Sequence, residues 1–282
     1  MRSQTFSLGI ALAGAMVSAS AQWLDYPTPG TPLTPDGKPN LSAKAPRAAN
    51  GKPDLSGVWH IEPPPAGEIE RLYGDLGAAV VAGDDPRTFS RYWANILIDF
   101  KPGEEPIRPE AVALTLKHRQ TMDSPDSHCL PISLPIRDLT PFPFKIFQTP
   151  EAIVILYEAD GAARQIHTDG RKLPVNPQPS WMGYSTAKWQ GDTLVVDTAG
   201  FNDRGWLDAR GHPRSEALHV QERLHRRDFG HMDVQATVED PIVLTGPVTI
   251  KFTELLIPNS DILENFCTEG ERDRAHMPAA DQ

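Results

Sequence analysis

Cysteine is nearly absent from this 282-residue chain, which has only Cys129 and Cys267. A spacing with no Cys-x-x-Cys character disfavours a structural zinc site. Long apolar runs are also scarce. The one candidate, residues 6–17, follows a single basic residue, Arg2, and precedes the small-residue tripeptide Ala19-Ser20-Ala21. It falls short of the roughly 20 residues a bilayer span needs and has the layout of a secretory signal peptide cleaved before Gln22. A periplasmic or secreted protein with no membrane span is therefore expected, and in an oxidising compartment an isolated cysteine pair forms one disulfide. Positive charge is in deficit as well: 27 Lys and Arg face 37 Asp and Glu, for a net charge of -10. That balance disfavours a nucleic-acid partner, because phosphate binding needs clustered cations. The small group Arg223, Arg226 and Arg227 is broken by His225 and closed by Asp228, as on a solvated strand edge.

The motifs of several enzyme classes are missing too. No glycine-rich phosphate loop or dinucleotide fingerprint follows a strand, so no nucleotide cofactor is indicated. Ser185, in Gly183-Tyr184-Ser185-Thr186-Ala187, lacks the last glycine of a nucleophile elbow. His167, His212, His219, His225 and His231 form no His-x-His or His-Glu-x-x-His pattern, so no metal is expected.

Proline, by contrast, is abundant. Its 28 copies predict many loops and few long helices. Residues 22–53, rich in Pro, Gly, Ala and Lys, read as an extended, mobile lead-in able to drape over the domain, and residues 269–282 as a polar tail. Between them, at 54–268, short alternating segments separated by turn residues predict a single antiparallel barrel of roughly nine strands. The segments are 54–61, 144–149, 152–158, 163–168, 181–189, 193–198, 217–227, 231–238, 248–256 and 262–268, with residues 92–100 open between strand and helical turn. Residues 153–157 are apolar on both faces, as in a strand covered on both sides. Asp169-Gly170 and Gly191-Asp192 read as hairpin turns. Two helices are expected, a short one over 67–76 and a longer one over 108–122. The longer would lay a stripe of Val112, Leu116 and Arg119, with Ala113 and Leu114, on the barrel.

Face assignment by period two singles out charge. Glu222 shares its face with Leu218, Val220 and Leu224, and Arg164 shares its face with Ile166. A carboxylate among leucines is either paired or raised in pKa, so an interior Arg164–Glu222 pair is predicted, serving either as a polar centre for a ligand or as a closure of the lumen. Trp181, Gly183, Ser185 and Trp189 fall on one face of their strand and Tyr184 on the other; with Trp59 they would shape a cavity for a planar molecule, or simply pack. Asp197 interrupts an apolar strand as a general base, a histidine partner or a solvated side chain.

The Gly57-Val58-Trp59 triplet resembles the first strand of lipocalins and other calycin barrels. That resemblance implies a late-strand cation packed on the tryptophan, with Arg223 or Lys251 as candidates. Asp54-Leu55-Ser56-Gly57-Val58-Trp59, Asp169-Gly170-Arg171, Trp181-x-Gly183-Tyr184-Ser185, Trp189-x-Gly191-Asp192-Thr193-Leu194-Val195-Val196-Asp197-Thr198 and Ser215-Glu216-Ala217-Leu218-His219-Val220 through Glu222-Arg223 resemble a widespread family of uncharacterised exported bacterial proteins. The resemblance implies one exported domain and carries no activity with it. The expected function is binding of a small apolar or aromatic molecule in a calycin-like barrel. The alternatives are an acid/base lyase, isomerase or hydrolase with Glu222 or Asp197 as base and Arg164 as oxyanion partner, or a structural envelope-interaction protein.

Overall fold

A computed structural model describes residues 26–74, 89–121 and 123–267. The signal-peptide reading, the helix ends at Leu76 and Met122, and the polar tail lie outside the described residues. Nine strands close into a barrel: β1 (Gly57–Ile61), β2 (Phe144–Gln148), β3 (Ala152–Tyr157), β4 (Ala163–His167), β5 (Tyr184–Gln190), β6 (Thr193–Ala199), β7 (His219–Arg226), β8 (His231–Glu239) and β9 (Val248–Leu256). β1 pairs with both β2 and β9, which removes the free sheet edges.

The barrel is mixed rather than wholly antiparallel. β4 and β5 run parallel, with Ile166 opposite Ser185 and His167 opposite Thr186. The chain therefore leaves β4 through a long connection instead of reversing at Asp169-Gly170. There Asp169 is held by Arg171, whose Nη2 donates to its Oδ2 at 2.6 Å. The turn dipeptide forms a local bend, but the next strand returns in the same direction, as parallel pairing requires a crossover. By contrast, Gly191-Asp192 joins β5 to β6 as a hairpin, with φ of +61° at Gly191.

Other elements also differ from their sequence patterns. β3 alternates, with Ile153, Ile155 and Tyr157 buried and Val154 and Leu156 only half-buried, because a closed barrel has one interior. Residues 92–100 form turns, and at 262–267 a single bridge joins Asn265 to Ala159 in place of a strand. Two α-helices occur among the described residues, α1 (Glu68–Tyr73) and α2 (Pro109–Thr121). α2 turns the face of Ala111 and Thr115 inward and leaves Val112, Leu114 and Leu116 40–50 % exposed. Small residues let the helix approach its neighbours closely, which the count of large apolar side chains does not register.

From residue 26 on, the lead-in makes side-chain and backbone contacts with the barrel. Arg47 makes a bidentate pair with Asp192 at 2.7 and 2.6 Å, and Phe229 and Gly230 donate their backbone N–H groups to Ala43 and Leu41 at 2.7 Å each. Composition gave no sign of these backbone pairs, since they need no side-chain pattern. Cys129 and Cys267 form a disulfide across 138 residues.

The interior splits into two apolar clusters. One gathers Leu55, Trp59, Ile146, Leu194, Leu224, Met232 and Val234; the other Leu139, Phe201, Val220, Ala236, Val238 and Ile250. Trp59 is fully buried, donating from Nε1 to the Leu55 carbonyl at 2.9 Å. The cation over its ring is Arg226, 4.8 Å from the centroid, not Arg223 or Lys251. Parity explains the difference. Arg226 lies an even number of residues from Glu222 and Leu224 and so points inward, whereas Arg223 reaches outward to Gln190. Gly57 has φ of +143°, and a Cβ there would meet Leu256 Cδ1 at 2.5 Å, so a side chain at this position would strain the backbone and displace Leu256.

Candidate functional site

Between the two apolar clusters the barrel carries a layer of charge. Arg164 on β4 and Glu222 on β7, 3 % exposed each, form a bidentate pair, with Nη1 donating to Oε1 at 3.1 Å and Nη2 to Oε2. Arg164 also donates from Nε to Ser185 Oγ at 3.2 Å and from Nη2 to Thr198 Oγ1 at 2.9 Å, and these two hydroxyls lie 2.9 Å apart. Ser185 and Thr198 sit on β5 and β6, so inward side chains of three successive strands, β5, β6 and β7, converge on the guanidinium carried by β4. Burial opposes the Arg164 cation, but the carboxylate of Glu222 outweighs it and holds the guanidinium above its ordinary pKa.

Two further carboxyls face this layer. Asp138, in the 3-10 turn Ile136–Leu139, stands 4.0 Å from Arg164 and accepts from Tyr157 Oη at 2.8 Å. Burial and then the Glu222 charge push its carboxyl up to about 7. Glu254 on β9 is fully buried, and neither of its oxygens has a hydrogen-bond partner among the described residues. Burial, followed by repulsion from Asp138, raises its carboxyl well above its ordinary value. The space enclosed by Asp138, Arg164, Glu222, Glu254 and their apolar neighbours is about 20 Å³. That is the scale of one water.

A much larger cleft, of about 570 Å³, lies outside the lumen. α1, the turns at 89–94, α2, the proline-rich 124–142 segment and the 205–210 loop build its walls. The turn that carries Asp138 separates the two spaces: Ile136 and Thr140 line the cleft and Asp138 lines the lumen. Aromatic rings dominate the cleft. His118 stacks on Trp206 at 4.7 Å and 18°, and Phe89 lies 4.4 Å from Trp93. His118 Nδ1 is 2.8 Å from the Gly211 carbonyl, which can only accept, so Nδ1 carries the hydrogen and Nε2 is left for another partner.

Two buried polar clusters stiffen the walls. Asp208, fully buried, accepts from His212 Nδ1 at 2.6 Å and from the backbone N–H groups of Ile96 and Arg210 at 3.0 Å each. Arg214 donates to the Asn202 carbonyl at 2.8 Å, to Asn202 Oδ1 at 2.6 Å and to Ser133 Oγ. Burial lowers its guanidinium to about 10.

The candidate residues read from the sequence separate in space. Arg164, Glu222 and Ser185 meet in the lumen. Asp197 faces outward, accepting from Gln221 Nε2 at 3.1 Å and lying 3.3 Å from His219 Nε2. Trp59 is sealed in the core and Trp189 packs against the same cluster. Tyr184 stacks on His167 and accepts from Arg171 at 3.1 Å. Trp181 lies between Arg204 and Arg214, 5.1 and 5.8 Å from its ring. None of these residues lines the larger cleft. Sequence reasoning missed Asp138, His118, Trp206 and Glu254. Only Glu254 had a usable signal, since it continues the face of Val248, Ile250 and Phe252. In comparisons with known proteins, no family model, curated protein or solved structure matches this chain.

Proposed function

We propose that this protein is an exported binder of a small apolar or aromatic molecule, and that the molecule sits in the cleft flanking the barrel rather than in the lumen. The observation that carries this reading is the contrast in space: about 570 Å³ in the aromatic-lined cleft against about 20 Å³ beside Arg164 and Glu222. Ligand sites occupy roughly 300–1,000 Å³ and are mostly apolar with a few placed polar groups, a description the cleft fits. Arg164, Glu222, Ser185 and Thr198 then close the lumen as a saturated polar clasp. Export is supported by the Cys129–Cys267 disulfide, which persists in oxidising compartments.

We read the barrel as calycin-like. Gly57-Val58-Trp59 opens the first strand, and the Arg226 guanidinium covers Trp59 at 4.8 Å; the parallel β4–β5 pair is a departure from that pattern. The ligand site is tested by a thermal-shift screen of small aromatic compounds on the wild type and on Ala94→Trp, which places a bulky ring in the cleft wall. Compounds that raise the wild-type Tm are expected to lose their effect in Ala94→Trp. Shifts that persist in the filled variant, or an absence of any stabilising compound, would sink the reading.

A further inference from the structure

We propose that the ligand of the cleft is a monoanion, a planar aromatic body bearing one carboxylate, recognised by Arg119 and Arg210. The inference rests on the cleft being the ligand site and adds the charge of what it takes. Its basis is a difference among the arginines.

Every other described arginine has a partner. Arg47, Arg71, Arg91, Arg137, Arg164, Arg171 and Arg227 pair with carboxylates. Arg108, Arg214 and Arg226 donate to backbone carbonyls, Arg223 donates to Gln190, and Arg204 covers the Trp181 ring. Among the described residues the guanidinium groups of Arg119 and Arg210 have neither an ion pair nor a hydrogen bond, and both arginines line the cleft. They come from separate elements, α2 and the 205–210 loop, so the fold brings two unpartnered cations to one space in a chain whose net charge is -10.

The opposing charges in the wall do not cancel them. Asp208 is fully buried and already accepts four hydrogen bonds, the fourth from the His212 backbone at 3.3 Å, so its oxygens are occupied within its own surroundings. Asp126 is the other carboxylate of the wall. Two guanidinium groups therefore meet one exposed carboxylate, Asp126, and one buried carboxylate whose oxygens are already occupied, which suits a monoanion better than a dianion. A planar carboxylate matches the guanidinium fork. The stacked His118 and Trp206 rings offer an apolar wall for the remainder, and His118 Nε2 offers one more polar contact.

The test is calorimetric titration of the full-length, disulfide-bonded protein with 2-naphthoate and its neutral isostere 2-naphthamide, on the wild type and on the Arg119→Gln/Arg210→Gln double variant. Naphthoate should bind the wild type about tenfold or more tightly than naphthamide, the scale of hydrogen bonds to charged groups. The double variant should bind both compounds with the affinity the wild type has for naphthamide. Equal affinities in the wild type would overturn the anion inference and leave the cleft reading standing. A naphthoate preference that survives in the double variant would also overturn it, placing the anion elsewhere. If neither compound binds, both readings fail.

Discussion

Replacing Glu222 by Leu should show how much the charge layer costs when it is broken. The substitution leaves Arg164, 3 % exposed, with a cation whose bidentate partner has gone. Removing one partner of a buried ion pair costs roughly 3–5 kcal/mol, because the remaining charge stays desolvated. Asp138, 4.0 Å from Arg164, offsets part of the loss: without the Glu222 charge its carboxyl ionises more readily and partners the cation, so the lower end of that range is expected. Arg164→Met strands the Glu222 carboxylate beside Asp138 and Glu254 and should fall at the upper end. Additive effects would make the double variant worse than either single variant, by roughly 6–10 kcal/mol. The coupled expectation is the reverse. Arg164→Met/Glu222→Leu removes both charges together, Ser185 and Thr198 keep their mutual 2.9 Å hydrogen bond, and the loss should stay below about 2 kcal/mol. Equilibrium urea unfolding with the disulfide intact, followed by tryptophan fluorescence, measures all four proteins. The reasoning fails if either single variant loses less than about 1 kcal/mol or if the double loss equals the sum of the singles.

Two further outcomes follow from other parts of the structure. Asp138, pushed from 3.8 to about 7 by burial and by Glu222, holds a proton in the folded state that the unfolded chain has already released. Its contribution to stability is therefore full below about pH 4, falls as pH rises toward 7 and is gone above it, a span of at most about 4 kcal/mol. The difference in urea midpoint between wild type and Asp138→Asn should change across that window; a constant difference from pH 4 to 8 would contradict it. Cys129→Ser/Cys267→Ser opens a 138-residue loop and should cost about 5 kcal/mol in the chain-entropy account. Reduction of the wild type should destabilise it to a similar extent, and unfolding midpoints unchanged by dithiothreitol would refute the estimate.

The face of β7 was legible because a strand has only two sides. Once Val220 and Leu224 point inward, Glu222 must follow, and the same parity places Arg226 inside and Arg223 outside. Glu254 obeys the rule equally well, continuing the buried face of Val248 and Ile250, so it was recoverable from the sequence. Asp138 was not, since its 3-10 turn lies in a proline-rich segment with no period to count. The cleft was hidden for the same reason: its walls come largely from turns, loops and a helix whose inward face is small residues rather than a large apolar stripe.

Local chemistry along the chain thus determined most of the strand segments, the inward face of β7, and that a cation and a carboxylate would lie inside. Those properties depend on alternation and turn residues within a few positions of one another. Tertiary structure alone decided that β5 joins β4 in parallel, that Asp138 and Glu254 are buried beside the Arg164–Glu222 pair, and that two arginines with no ion pair among the described residues line a common cleft. Each of these depends on which distant segments meet, and closure of the barrel, not any short-range pattern, sets those meetings.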